Sequence, residues 1–187
     1  NTYTGTTSIV GGTLAGVGAN AFGSTSDIRI AAAGTLSLRG DSSTSFVKAS
    51  DSSAYPVTTS ASGATLNADQ ATIAGTGTKT MTIGTLGTTS TAATYQVNFT
   101  GANSTSLSIG AATGAASTAV ATVTFNNNIA TPGSLTLASY TSANTSGGET
   151  VIFTGTGNTT VSGAITPSST TLALTKNGAG TTTLAGN

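Results

Sequence analysis

The side chains that perform most enzyme chemistry are scarce in this sequence. Its 187 residues include neither His nor Cys, and Glu149 is the single glutamate. Acid–base catalysis uses paired carboxylates or a histidine beside a nucleophile, and thiolate chemistry requires cysteine. The aspartates stand apart from one another at turns and strand ends; they are Asp27, Asp41, Asp51 and Asp69. We therefore expect no enzyme activity, no catalytic residue and no cofactor.

The densest charge lies between Arg39 and Pro56, and two of its features invite a functional interpretation. Asp41 and Asp51, helped by nearby serines, are the best candidates for a calcium site, but calcium needs several converging oxygens and no D-x-D spacing is present. The tripeptide Arg39-Gly40-Asp41 resembles an integrin-binding motif, yet Gly followed by Asp after a strand is an ordinary turn. We interpret the region as a surface excursion between strands and expect no metal site.

Two polar runs could carry a surface function. Every second residue from Thr76 to Thr82 is threonine, so these side chains share one face of a strand. Flat threonine arrays on β-solenoids resemble the faces of ice-binding proteins, which gives an alternative function if the row repeats on successive coils. The run Asn126–Asn128 suits either a plain loop or a β-helix corner where side-chain amides hydrogen-bond between coils.

Charge excludes several partners. Five basic and five acidic residues give a formal net charge of zero, and charged residues make up 5% of the chain. No basic stripe is available for a phosphate backbone and no polybasic patch for anionic lipid. We expect no nucleic-acid partner and no membrane insertion. The chain begins at Asn1 without a charged-then-apolar leader, so we expect mature, processed or excised material, consistent with secretion.

The elements that position these residues are short strands. Apolar residues alternate with threonine or another polar residue in many runs, such as Tyr95, Val97 and Phe99, and Gly, Asn, Asp or Ser clusters separate the runs. Helix signals are weak: the alanine-rich segment 110–120 contains two glycines and no caps, so we predict strand or loop there. Four segments share a small–small–Leu pattern with a turn on each side, as in a solenoid; they are GGTLAGVG, AGTLSLRG, GATLNADQ and GSLTLASY.

Two segments carry a more specific resemblance. The chain ends with LALTKNGAGTTTLAGN and begins with NTYTGTTSIVGGTL, continuing as NAFGSTSDIRIAAAGTLSLRG. Joined end to start, these segments resemble the autotransporter-associated β-strand repeat, also called the passenger-associated transport repeat, whose course is L-x-K-x-G-x-G-T-L-x-L-x-G and then N-x-Y-x-G-x-T. Thr182 departs from it, since the family usually has an apolar residue there. The resemblance implies a right-handed β-helix at a bacterial surface, acting in adhesion or as a long stalk.

The sequence thus predicts one all-β domain over residues 1–187, a repeat unit or subunit of a polymer. A right-handed β-helix or solenoid is favoured, and a pilin-like β-sandwich that polymerises by strand complementation is the alternative. A detached N-terminal segment would distinguish the sandwich. The predicted function is structural: copies associate head to tail into an extracellular or surface filament of a bacterium, or form a segment of an adhesive stalk. The candidate assembly residues lie near the two ends; they are Tyr3, Ile9, Val10, Leu172, Leu174 and Leu184.

Overall fold

The chain forms an all-β solenoid. The computed structural model describes residues 1–72, 76–168 and 171–186. Within them no residue is helical, and sixteen strands join in one sheet. The strands are β1 Thr7–Val17, β2 Ile28–Arg39, β3 Thr44–Ser45, β4 Val57–Thr59, β5 Ala64–Asp69, β6 Lys79–Ile83, β7 Leu86–Thr88, β8 Thr94–Gly101, β9 Thr105–Thr113, β10 Ala121–Ile129, β11 Ser134–Thr141, β12 Glu149–Thr154, β13 Asn158–Val161, β14 Ile165–Thr166, β15 Leu172–Lys176 and β16 Thr182–Leu184.

Each coil presents three faces, because the chain visits three stacks of strands in the same order. Face 1 contains the starts of β1 and β2, then β4, β7, the ends of β9 and β11, and β14. Face 2 contains the rest of β1 and β2, then β5, β8, β10, β12 and β15. Face 3 contains β3, β6, the starts of β9 and β11, β13 and β16.

All pairings between these strands are parallel, which rules out the pilin-like β-sandwich. Sheets of that architecture are built from antiparallel hairpins and Greek keys. The N-terminal segment is not detached either: the Ser24 amide donates to the Tyr3 carbonyl at 3.0 Å. The solenoid prediction is confirmed, and its right-handed turn stays a prediction.

Coil length varies while strand register is kept. The turn that leads from Thr7 to its partner Ile28 is short, whereas the turn from Thr44 to its partner Met81 is much longer. The extra residues lie at corners, where they leave the pairing of the strands intact. The alanine-rich segment predicted as strand or loop behaves accordingly, since β9 ends at Thr113 and no strand follows before Ala121.

Inward side chains stack in columns that cross many coils. On face 3, Ile83, Ile109, Leu137 and Val161 follow one another in register and are almost fully buried. On face 2, Phe125 packs between Phe99 and Phe153 with ring centroids 6.0 and 5.6 Å away, and Tyr140 meets it edge-on at 5.6 Å. The columns are the hydrophobic core predicted by the alternating sequence.

The predicted surface excursion between Arg39 and Pro56 is partly wrong. Phe46 and Tyr55 are fully buried, and both rings pack on Phe22 from the first coil. Alternation could not identify them because each lies outside a run of strand residues. Phe22 fills the space beside Gly16, an inward position of the first coil without a side chain, and Phe46 and Tyr55 pack on that ring.

Phe125→Ala tests the column model of the core. Removing a ring held by three aromatic neighbours leaves a cavity that rigid coils cannot close, so we expect a loss of about 3–5 kcal/mol in the free energy of unfolding. Urea unfolding followed by circular dichroism measures this loss. Thr124→Ala, one residue away on the outer surface, should change stability by less than about 0.5 kcal/mol. Equal effects of the two variants would contradict the column model.

Candidate assembly surfaces at the two ends of the solenoid

The first coil exposes apolar side chains on its outer side. Val10 is 75% exposed and Val17 is 61% exposed, and Tyr3 projects from the segment that precedes β1. This segment lies along the first coil rather than in solvent, since the Thr7 hydroxyl donates to the Tyr3 hydroxyl at 3.3 Å. Ile9 differs from the other predicted residues of this end because it is buried in the core, where it pairs with Ile30 of the next coil.

The last coil ends core columns without covering them. Leu174 follows Val151, and Leu184 follows Val161; the two valines are fully buried, whereas the leucines are 41% and 53% exposed. Leu172 lies above Glu149 and is partly buried. The three predicted leucines therefore lie on one surface, the open end of the hydrophobic core. Asn187, the last residue of the motif, lies outside the described residues.

A groove of about 350 Å³ lies beside this end on face 1. Its lining includes Ile165 and Thr166 of β14, together with Leu184 and Gly186. Among the described residues β14 pairs with β11 alone, so its other edge has no strand beside it. The groove lies where a further strand of the face 1 stack would pair with β14.

Lys176 is the one charged residue among the described positions of the last coil, 172–186, and it occupies an inward position. It pairs with Phe153 in the column that contains Phe125, Val97 and Ala64. Its ammonium group donates to the carbonyls of Asn177 and Gly178, both at 2.8 Å. The aliphatic stem thus lies at the end of the aromatic column while the charge is held at the corner that follows.

The corners of the last two coils are built by stacked glycines. Gly155 and Gly178 have positive φ angles of 97° and 84°, which non-glycine residues rarely adopt. A β-carbon on Gly178 would lie 2.6 Å from the Gly155 carbonyl oxygen, so the corners approach too closely for any side chain. The pairing of Val161 with Leu184 shows that segment 151–163 is repeated one coil later by segment 174–186. Sequence analysis missed this repeat, which a comparison of the chain with itself, shifted by one coil, would have found.

Thr182, the departure from the family pattern, continues a polar position in the core. Its partner Thr159 is buried and accepts a hydrogen bond from the Asn127 side-chain amide at 3.0 Å. Asn127 is itself fully buried, and its amide also donates to the Asn158 carbonyl at 2.8 Å. A hydroxyl at this level of the column satisfies a buried amide that an apolar side chain would leave without a partner.

The asparagine run lies inside β10 rather than at a corner, but its outer amides do bond between coils. The Asn126 amide donates to the Asn98 side-chain oxygen at 2.9 Å, and the Thr156 amide donates to the Asn128 side-chain oxygen at 3.2 Å. Asn98 in turn donates to the Gly63 carbonyl at 3.2 Å. These bonds connect successive coils on face 2, where parallel register brings equivalent residues together.

The charged residues between Arg39 and Asp51 have structural partners. Arg39 donates through Nε to the Gln70 carbonyl at 3.2 Å, and Asp41 accepts from the Thr72 amide at 2.7 Å, which lowers the pKa of Asp41. Asp51 accepts from the Ser53 amide and hydroxyl at 2.9 and 2.7 Å. The tripeptide therefore binds the following coil. No group of three acidic, histidine or cysteine side chains that could hold a metal occurs in the described part of the chain.

A buried acid at the start of β12 was not identified from sequence. Glu149 is 2% exposed, and its Oε1 accepts a hydrogen bond from the Tyr140 hydroxyl at 2.5 Å, while Oε2 accepts no bond from the described residues. Burial raises the pKa of Glu149, although the Tyr140 and Ser142 hydroxyls act in the opposite direction. The pKa of Tyr140 is also raised, first by burial and then by the hydrogen bond to Glu149.

The fold and its ends define the chain as a three-faced parallel β-solenoid with apolar side chains exposed in its first and last coils. No family model matches the sequence, and neither a curated protein nor a solved structure matches it. In the described residues, no helix is long and apolar enough to span a membrane.

Glu149→Gln tests the buried acid. Because the pKa of Glu149 is raised on folding, the folded chain holds a proton that the unfolded chain releases above its ordinary pKa of about 4.3. The stability of the wild type should therefore be greatest below that pH and fall as pH rises through the raised pKa. The variant keeps the shape without the titration, so its melting temperature should fall less between pH 4 and pH 8. Parallel pH profiles of the two proteins would contradict the assignment.

Proposed function

We propose that this chain is a structural protein whose coils continue from end to end into a filament or an adhesive stalk. The continuation runs from one copy to the next or along a longer tandem chain. One observation carries the proposal: of the exposed large apolar side chains in the described residues, all but Val120 lie in the first or the last coil. Such exposed apolar side chains mark surfaces that bind another surface. The residues are Tyr3, Val10 and Val17 at one end and Leu174 and Leu184 at the other.

The geometry of the columns supports stacking in register. On face 1, successive pairings connect Thr7 of the first coil with Ile28, Val57, Leu86, Ala112, Tyr140 and Ile165. A following coil that kept this register would place its Thr7–Ile9 strand in the groove beside Ile165. Backbone groups at the edge of β14 would then gain partners, and the leucines at the end of the core would be covered.

Stacking of this kind is heterologous and does not close. One end of a copy meets the opposite end of the next, so each addition recreates the same free end and an open filament grows. Little in the described end coils opposes this contact. Lys176 is the one charged side chain among the described residues of the last coil, and the first coil has no charged side chain from Asn1 to Ala21. Native proteins usually block open strand edges with charge or proline.

In this proposal the chain has no enzymatic activity and is located at the bacterial cell surface or outside the cell. The lack of His and Cys in the sequence, and the hydrogen bonds of Asp41 and Asp51 to neighbouring backbone amides, support a chain without enzymatic activity or cofactor. Its five scattered basic residues and zero net charge support the lack of a nucleic-acid partner. A place at the bacterial cell surface or outside the cell is supported by the likeness of the end segments to the autotransporter-associated repeat. The repetition of that motif in the two last coils adds to this likeness.

Leu174→Asp tests the end surface. A carboxylate at the end of the core must be desolvated on stacking, so we expect end-to-end association to weaken about tenfold or more, equivalent to about 1.4 kcal/mol or more. Thr175→Asp is the matched control, because Thr175 is an exposed neighbour on the outer surface of the same strand. Sedimentation velocity and electron microscopy measure association, and circular dichroism checks the fold. Equal association of Leu174→Asp and the wild type, or no association of the wild type at any concentration, would contradict stacking of separate copies.

Salt provides a second test of the same contact. The proposed interface contains backbone hydrogen bonds and apolar side chains, with Lys176 as its single charge, so screening has little to act on. The average length of the assemblies should be the same at low and at high sodium chloride, within about a factor of two. Dissolution of the assemblies as ionic strength rises would show that an electrostatic contact holds them together.

A further inference from the structure

Face 3 carries an outer row of hydroxyl groups that continues through all of its strands. The row is in register from coil to coil, and we call it the hydroxyl row; it contains Ser45, Thr82, Ser108, Thr136, Thr160 and Thr183. Parallel strands are about 4.8 Å apart, so the row extends over about 24 Å. Of the threonine run predicted to share one strand face, only Thr80 and Thr82 lie in β6 and form one level of this arrangement, because β6 begins at Lys79. The sequence alone did not reveal the repetition of that level on other coils.

The hydroxyl row has no hydrogen-bond partner within the described protein. Its side chains are exposed or partly exposed, and none of the hydroxyls donates to or accepts from another described residue. The outer asparagines of face 2, which include Asn98 and Asn126 and which we call the amide row, differ from the hydroxyl row. The Asn126 side-chain amide donates to the Asn98 side-chain oxygen. A hydroxyl offers one donor and two acceptor sites, so each member of the hydroxyl row must bond to something outside the chain.

A second row two positions earlier in each strand runs parallel to the hydroxyl row. We call it the bonded row; it contains Ser43, Thr80, Ser106, Ser134, Asn158 and Thr181. Three of its side chains accept hydrogen bonds from backbone amides of the next coil: Ser43 from Thr80 at 3.1 Å, Ser106 from Ser134 at 3.1 Å, and Asn158 from Thr181 at 3.0 Å. Alternate positions on a strand are separated by about 6.7 Å, so the rows form a two-dimensional lattice.

The lattice is held regular and rigid by the core. No register shift interrupts the pairings of face 3, and between the two rows lie the inward residues Met81, Leu107 and Leu135, all fully buried. The bonded row fixes neighbouring coils further. A surface with so little freedom matches a ligand that is itself periodic and rigid, because neither partner loses conformational entropy on contact.

We propose that the hydroxyl row is the centre of a face that binds ice, with the bonded row beside it holding the coils in register. Crystalline water offers donors and acceptors at fixed intervals in two directions, which a regular array of partnerless hydroxyls can meet all at once. The threonine methyl groups add an apolar surface beside the hydroxyls. Both rows are uncharged and contain no aromatic side chain, whereas binding of a polyanion would require cations and binding of bases or sugar rings would be favoured by aromatic surfaces. The inference does not depend on end-to-end stacking.

Ice recrystallisation and thermal hysteresis, measured with the purified chain, test the face. The wild type should shape ice crystals and separate their freezing and melting temperatures. Thr136→Lys, in the middle of the hydroxyl row, should lose most of this hysteresis because a long charged side chain disrupts the lattice at its centre. Thr160→Lys should have the same effect, while Thr136→Ser, which keeps the hydroxyl, should retain part of the activity.

Thr124→Lys is the matched control, since Thr124 is an outward threonine in the interior of β10 on face 2. It should keep the hysteresis of the wild type, and circular dichroism and melting curves should show that every variant folds. Sedimentation of Thr136→Lys should equal that of the wild type, which separates this face from the end surfaces. Absence of ice activity in the folded wild type, equal loss in Thr124→Lys, or a change in association by Thr136→Lys, which would assign the face to a second copy, would each overturn the proposal.

Discussion

Parallel pairing in register is the constraint on which this molecule depends. In the interior strands an inward side chain has its counterpart directly above and below, about 4.8 Å away, so most of the core consists of columns of side chains. A column of Ile83, Ile109, Leu137 and Val161 is stable because side chains of similar shape repeat from coil to coil. A larger or smaller side chain in one coil requires a compensating side chain in the next coil. The arrangement also applies to the surface, where it produces the amide row of face 2 and the hydroxyl row of face 3. The buried columns, the surface rows and the exposed side chains of the end coils are three results of one pairing rule.

The same rule accounts for the polar residues within the core. Asn127 occupies a level of the column that contains Leu36, Leu66 and Phe99, and an amide there would be costly without partners. Thr159 and the Asn158 carbonyl supply those partners from the following coil. Thr182, directly above Thr159, extends the exception by one more coil. A departure from a hydrophobic pattern at one position thus has its explanation in the neighbouring coil, a full turn of the solenoid away in sequence.

This dependence on distant neighbours separates what the sequence could predict from what it could not. Alternation identified strands such as Tyr95–Phe99 correctly, because the period of two belongs to the strand alone. Phe46 and Tyr55 were missed as core residues, since their burial depends on a packing contact with Phe22 of another coil. The burial of Ile9 likewise depends on Ile30, while the assembly role of Leu174 and Leu184, which are exposed at the end of the core, stays a prediction. Glu149 looked like a turn residue, and only the corner packing of Tyr140 against it reveals a buried acid.

The uneven length of the strand pairings has a mechanical meaning. Hydrogen bonds between coils point along the solenoid axis, so a pull along that axis loads every bond of one junction together. Face 2 joins β8 and β10 over eight successive pairs, whereas face 3 joins β3 and β6 over two. A stretched molecule would begin to open at short pairings such as β3 with β6 or β7 with β9, and the corner between Arg39 and Pro56 would extend only once Phe46 and Tyr55 left their contacts with Phe22. The long pairings of face 2 would open last, so the protein would lengthen in steps under tension rather than separate at once.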